Sequence, residues 1–208
     1  RITESIEYYS LTRTIEAIHR SDVTIHMIDA TVGLTDNDKK ISDEIIAAKK
    51  PVIIAVNKWD AVEKDHKTFE AFKDRLIFKF FRAADFPIIS ISAKNRQRIN
   101  KLLDTATELD AKARKRIDTP TLNRVMAQIK SAARIPQLNE KLKVYYAVQV
   151  ESIPPQFKFF VNHAEYFKKD VVRYFEKALK EAFDLQGLPV FIQIEGKNRN
   201  DGRRKPKS

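Results

Sequence analysis

Residues 51–60 read Pro51-Val52-Ile53-Ile54-Ala55-Val56-Asn57-Lys58-Trp59-Asp60, an unbroken apolar run that passes directly into a polar turn. A short β-branched run without polar alternation is the pattern of a strand buried on both faces, as in a parallel sheet. Open sheets of that kind take ligands in the crevice beyond the carboxyl ends of their strands. Asn57-Lys58-Trp59-Asp60 stands at that place, and Asn-Lys-x-Asp has the chemistry to read a guanine base. The Asp60 carboxylate can accept from both the ring N–H and the exocyclic amine of guanine. Adenine offers no such donor pair and would leave the carboxylate unpaired. Sites built around such pairing discriminate by about 10⁴ or more. The Lys58 stem can cover one face of the base while its ammonium stays polar. Asn57 can both donate and accept, so it can hold the loop and reach the base edge.

A second loop strengthens this reading. The next apolar run, Phe86 to Ile91, ends in Ser92-Ala93-Lys94. In guanine-nucleotide proteins a Ser-Ala-Lys loop presents backbone N–H groups to the guanine carbonyl oxygen, where adenine carries an amine. Around these loops the pattern predicts a helix over 4–20 with Ile6, Tyr9, Ile15 and Ile18 on one face, and a strand over 23–28 ending at Asp29. It predicts a helix over 37–48 capped by Thr35 or Asp36, with Ile41, Ile45 and Ile46 inward. Strand 52–56 follows, then a helix over 67–83 with Phe69, Phe72, Leu76 and Phe80 on one stripe, strand 86–91, and a helix over 96–114. Alternation of strand and helix implies parallel strands joined by right-handed crossovers.

Phosphate binding calls for Gly-x-x-x-x-Gly-Lys-Ser/Thr, because glycines let backbone N–H groups close on the phosphates. The chain has four glycines, at 33, 187, 196 and 202, and none opens such a loop. No Asp-x-x-Gly precedes the base-reading loops, and residues 95–186 contain no glycine, so a permuted order does not supply the loop. With Arg1 in first place, the expectation is a truncated GTPase whose phosphate loop lies upstream. No catalytic residue and no metal ligand is assigned. The chain has no cysteine, and His19, His26, His66 and His163 have no metal-ligand spacing.

After the charged stretch Lys112 to Pro120 the pattern changes. Asp118 or Thr119 can cap a helix over 120–132 carrying Leu122, Val125, Met126 and Ile129. A strand over 142–150 alternates Leu142, Val144, Tyr146, Val148 and Val150 on one face. Pro154-Pro155 turns the chain into strand 157–162. A helix over 165–183 is expected to bury Tyr166, Val171, Tyr174, Phe175, Leu179 and Phe183, and strand 190–194 closes the unit. The order α-β-β-α-β is that of a KH-type fold, without the Gly-x-x-Gly loop that grips RNA backbone. The aromatics here stand at core spacing, which favours packing over base stacking.

Hydrophobic residues make up 43% of the 208, a globular composition, and no apolar stretch is long enough to span a bilayer. The net charge is +11. Residues 1–117 carry 22 Lys and Arg against 18 Asp and Glu, whereas residues 118–208 carry 17 against 10. This excess points to a polyanionic partner, RNA in particular. The run Lys197, Arg199, Arg203, Arg204, Lys205 and Lys207 reads as a basic disordered arm.

These residues together resemble the bacterial tandem GTPases called Der or EngA. The likeness runs from Ser5 to about Lys197 through Tyr9-Ser10, Ile18-His-Arg-Ser-Asp22, Asp29-Ala30, Gly33, Asn57-Lys-Trp-Asp60 and Ser92-Ala93-Lys94. It continues through Tyr145-Tyr146-Ala147, Pro154-Pro155-x-Phe157, Phe160-Val161-Asn162 and Arg173-Tyr174-Phe175-Glu176. The resemblance implies an α/β fold: an incomplete P-loop GTPase-type parallel sheet with helices on both faces (1–117), an α+β KH-like domain (118–197), and a basic tail (198–208). It implies a cytoplasmic, monomeric ribosome-assembly GTPase acting on the large subunit. GTP or GDP would be held at Asn57, Lys58, Trp59, Asp60, Ser92, Ala93 and Lys94. Mg²⁺ would be held only by residues outside this chain. Ribosomal particles or rRNA would be the partner, with no role for DNA or membrane. The alternative is an RNA- or ribosome-binding module with no nucleotide activity of its own.

Overall fold

The computed structural model describes residues 2–63, 67–132 and 142–196, with side chains from Leu11 onward. The side chains of Ile6 and Tyr9, expected to face inward, are not described, and His66 and the basic tail fall outside the described residues. By its internal contacts the chain divides into two compact units, Arg1–Lys115 with Leu185–Pro189, and Arg116–Asp184 with Val190–Ser208.

In the first unit the described elements are α1 (Ile2–Arg20), β1 (Thr24–Asp29), α2 (Asp36–Ala47), β2 (Val52–Asn57), α3 (Thr68–Lys79), β3 (Ile88–Ser90) and α4 (Ile99–Arg114). The strands lie in the order β1-β2-β3 and both pairs are parallel. Central β2 is buried from Val52 to Val56, which is why its sequence shows no alternation. One core gathers Ile28, Ile54, Val56, Trp59, Phe72 and Leu76; another gathers Ile18, Ile45 and Val52. Thr35 is the N-cap of α2. Its hydroxyl accepts from the Asp38 N–H at 3.2 Å, and the Asp38 carboxylate accepts from the Thr35 N–H at 2.8 Å, a reciprocal capping box. The helix expected to 83 ends at Lys79, because Phe80 leaves helical geometry (φ −141°, ψ 82°) and a 3-10 turn over Phe81–Asp85 follows.

The second unit contains α5 (Thr119–Ala132), β4 (Val144–Glu151), β5 (Gln156–Val161), α6 (Lys169–Ala182) and β6 (Phe191–Gly196). Its sheet has the order β4-β5-β6, antiparallel between β4 and β5 and parallel between β5 and β6. Asp118 caps α5, its carboxylate accepting from the Thr121 N–H at 2.9 Å. Phe157, Phe159 and Val161 point inward from β5, with Phe159 edge-on to Phe175 of α6 at 5.4 Å.

Two expectations in this unit need correction. Tyr146, Val148 and Val150 do not share the buried face with Leu142 and Val144. The register slips between Val144 and Tyr146, so the alternation inverts and Ala147 and Gln149 turn inward instead. A bulge of this kind inserts one residue, here Tyr145, and period-2 reading cannot see it. The second correction concerns the helix expected from 165. It begins at Lys169 and leaves Tyr166 exposed in a preceding 3-10 turn.

Candidate functional site

Parallel pairing brings the carboxyl ends of β1, β2 and β3 to one edge. Asp29 at the end of β1 lies opposite Asn57 at the end of β2. The ladder continues beyond β3: the Ile91 N–H donates to the Val56 carbonyl at 2.8 Å and the Trp59 N–H to the Ile91 carbonyl at 3.0 Å. The Asn57 and Ser92 loops are therefore anchored to each other by backbone before any side chain contributes.

Asn57 makes the side-chain link. Its Oδ1 accepts from the Ala93 N–H at 3.0 Å, and its Nδ2 approaches Met27 Sδ at 3.3 Å. Of the N–H groups expected to face the guanine carbonyl, that of Ala93 is thus engaged by Asn57. The Lys94 N–H has no partner among the described residues, and Lys94 is exposed. Ser92 is wholly buried. Its Oγ accepts from the Asn95 N–H at 3.1 Å, while its N–H and carbonyl pair with Gln97 at 3.2 and 2.9 Å. Ser92 shapes its loop from within and does not offer its hydroxyl outward. Arg98, with φ 59°, ends the loop and donates Nε to the Ser90 carbonyl.

Lys58 adopts left-handed backbone geometry, φ 60° and ψ 31°, which turns the chain sharply after β2. Its Nζ stands 2.6 Å from Asp29 Oδ2. The other Asp29 oxygen accepts from the Thr31 N–H at 2.9 Å and hydroxyl at 2.7 Å. The Lys58 ammonium, followed by the Thr31 donors, lowers the Asp29 pKa to about 2, and Asp29 in turn raises that of Lys58. Trp59 stands in the nucleotide-reading tetrapeptide, but its indole is only 5% exposed. It packs edge-on against Phe69 at 5.5 Å and Phe72 at 5.8 Å, fixing the turn to the core. Asp60 is half-buried in the 3-10 turn Trp59–Ala61, which the Ala61 N–H closes on the Lys58 carbonyl at 3.0 Å.

Asp29 is the site residue whose partnership the sequence reading did not anticipate. The available signal was its position at the end of the neighbouring strand, in register with Asn57. A separate depression of about 290 Å³, bordered by Val32, Leu34, Phe72, Arg75 and Lys79, includes none of the base-reading residues in its lining. Among the described residues no cluster of three or more His, Cys, Asp or Glu could hold a metal ion. No helix among them is long and apolar enough to cross a membrane.

Comparison with known proteins places two family models on the chain. The elongation factor Tu GTP-binding domain matches residues 9–111, and the KH-domain-like C-terminal region of EngA bacterial GTPases matches residues 116–195. GTPase Der of Leptospira borgpetersenii is 40% identical over 196 residues, 93% of this chain and 40% of that protein. GTPase Der of Chloroflexus aggregans is 40% identical over 209 aligned residues, 98% of this chain and 46% of that protein. The chain spans less than half the length of these curated relatives. A crystal structure of Era with MgGDPNP and part of 16S ribosomal RNA aligns at TM-score 0.40 and 19% identity, covering 88% of this chain and 68% of that one.

Proposed function

Because the chain belongs to the Der (EngA) GTPase family across the stretch it shares with those relatives, we propose that its first unit is the guanine-reading half of a GTPase domain. In this reading Asp60 accepts from the base N–H and amine, and the Lys94 N–H donates to the base carbonyl. Lys58 covers one base face from its anchor on Asp29. Asn57 and Ser92 hold the two loops in register, and Trp59 fixes the turn from below. The observation that carries the reading is the hydrogen bond from the Ala93 N–H to Asn57 Oδ1, at 3.0 Å. It ties two loops that are far apart in sequence into one rim at the carboxyl end of a parallel sheet, where such sheets bind ligands.

GTP hydrolysis by the whole protein, with Mg²⁺, depends on phosphate-clamping groups that this chain does not contribute. Residues 118–197 form the KH-like domain. The protein acts in the cytoplasm on ribosomal particles during large-subunit assembly. The test is Asp60→Asn in the protein carrying its complete GTPase domain, with guanine and adenine nucleotide affinities measured by fluorescent-nucleotide titration. Loss of a charged hydrogen-bond acceptor is expected to weaken guanine nucleotide by about 10- to 150-fold while leaving ATP affinity unchanged. Unaltered preference for GTP over ATP would overturn the assignment.

The basic excess of residues 118–208 supports RNA as the macromolecular partner. A log-log fall of rRNA affinity with salt supports this part of the reading; absence of RNA binding at low salt removes it.

A further inference from the structure

The loop over 30–34 and one face of α3 enclose the depression of about 290 Å³ in the first unit. Leu34, Phe72 and Leu76 give it a buried apolar lining, and Val32 at its edge is 69% exposed. The charged residues of its lining are two cations, Arg75 and Lys79, one helical turn apart and both exposed. Neither stands in an ion pair among the described residues. The acids of α3 do not face them. Glu70 and Asp74 lie by helical spacing on the side away from Phe72, and Glu70 meets Lys73 at 3.8 Å. From α2 the acid nearest in charge is Asp36, which Lys39 already pairs at 2.9 Å. Lys39 first, then Lys40 and Lys79, hold the Asp36 carboxyl below its usual range. Asp38 is engaged by Thr35 in the capping box. The surroundings of the depression therefore carry an uncompensated positive charge.

Phe78 follows Arg75 by three residues on the same helix and is 91% exposed; Phe81, in the turn that follows, is 56% exposed. Exposed aromatics beside unpaired cations, Arg above all, have the composition of a protein-binding surface. The depression is small against small-molecule pockets of about 300–1,000 Å³, so it suits one side chain of a larger molecule. We propose that it takes an apolar side chain from an acidic segment of a partner protein, with Arg75 and Lys79 pairing the carboxylates that flank this anchor. A nucleic acid fits less well. A hydrated phosphate does not fill an apolar depression, and the one aromatic ring in the lining, Phe72, is buried and set edge-on to Trp59.

Both walls also brace the base-reading rim. Thr31, in the lining, donates to Asp29, which holds Lys58 at 2.6 Å. Phe72, on the other wall, meets Trp59 at 5.8 Å. An occupant packed against 30–34 and Phe72 holds the contacts that position Lys58 and Trp59. Docking and guanine binding therefore favour each other, by the same factor in both directions. This linkage rests on the guanine reading above; the docking itself does not.

The test is selection of peptides on the full chain from a random dodecapeptide phage library, with the strongest binder then measured by fluorescence anisotropy. Selected peptides are expected to place Phe, Leu, Ile or Met beside Asp or Glu. Arg75→Glu with Lys79→Glu should weaken binding about tenfold or more, and Val32→Asp should act in the same sense. Lys101→Glu with Lys177→Glu, the same change of net charge at exposed positions elsewhere, should leave binding unchanged. No enriched peptide, or equal affinity in the Arg75/Lys79 and Val32 variants, would overturn the docking site and leave the guanine reading intact. So would a single-stranded oligoribonucleotide that binds the chain through Arg75 and Lys79 while no peptide does. In the protein carrying its complete GTPase domain, GDP should tighten peptide binding about fivefold or more. Guanine nucleotide that binds without changing peptide affinity would overturn the linkage.

Discussion

The two three-stranded sheets among the described residues solve different problems. In the first, β2 is covered on both faces, so all its side chains between Val52 and Val56 are spent on packing. Chemistry can stand only where the strands stop, and Asp29, Asn57, Lys58 and the Ser92 loop gather there. In the second, β5 alternates between buried Phe157, Phe159, Val161 and accessible Gln156, Lys158, Phe160. The second row of β5 side chains is half-exposed among the described residues. Full burial concentrates polar groups at strand ends; half burial spreads them over a surface.

The sharpest way to break this comparison is to remove matching aromatics from the two faces of β5. Phe159→Ala should cost about 3–5 kcal/mol in urea titration, since it empties a buried site against Phe175. Phe160→Ala, on the accessible face, should cost less than half of that. Equal costs would make the outer face a second core and remove its availability to a ligand.

A smaller effect concerns the sheet edge. Asn123 of α5 pairs its amide with both the N–H and the carbonyl of Ala147, each at 2.8 Å, and Lys130 donates to the Val144 carbonyl at 3.1 Å. The helix thus satisfies the backbone of edge strand β4, which would otherwise be open to pairing with another chain. Asn123→Leu should destabilise the unit by about 1–3 kcal/mol, the cost of leaving buried backbone groups unpaired. Hydrogen exchange at the Ala147 amide checks it: faster exchange is expected there, with β6 unchanged.

The smallest effect belongs to the strand ends of the first sheet. Asp29 has its pKa depressed to about 2 by Lys58 and Thr31, from an ordinary value of 3.8. A group depressed in the folded state stabilises above its unfolded value and loses that contribution as pH falls through the folded one. The contribution should therefore be complete above about pH 4 and fade toward pH 2. Titration of the Asp29 carboxyl by NMR should give a midpoint near 2 that rises toward the ordinary range in Lys58→Met. An unchanged midpoint would show that Lys58 does not hold Asp29.

Legibility in the sequence followed the same division. The first sheet was readable because a fully buried parallel strand leaves a contiguous apolar run, and its parallel direction followed from strand–helix alternation, whereas the order β1-β2-β3 came only from the structure. The second was readable in element order but not in facing. One inserted residue at Tyr145 reverses the side chains from Tyr146 to Gln149, where the register shifts again, and no local pattern marks either irregularity. Gln149 illustrates the loss: it looked outward by alternation, yet it is buried and its Oε1 accepts from the Ile117 N–H at 2.7 Å. At the base-reading rim, residue identities were legible and their division of labour was not. Neither the use of the Ala93 N–H by Asn57 nor the burial of Trp59 is local in sequence.

The amino-acid sequence by itself determined that buried strands alternate with helices in the first unit and that Asn57-Lys58-Trp59-Asp60 and Ser92-Ala93-Lys94 each follow a strand. Hydrophobic runs, periodicity and turn residues act over a few positions, and the chain displays them directly. Only the tertiary structure decided that Asp29 anchors Lys58, that Trp59 turns inward, and that Tyr146 meets Phe160 on an open face. Those outcomes depend on strand register, which is set by hydrogen bonds and packing between residues distant in the chain, and a shift of one residue reverses them.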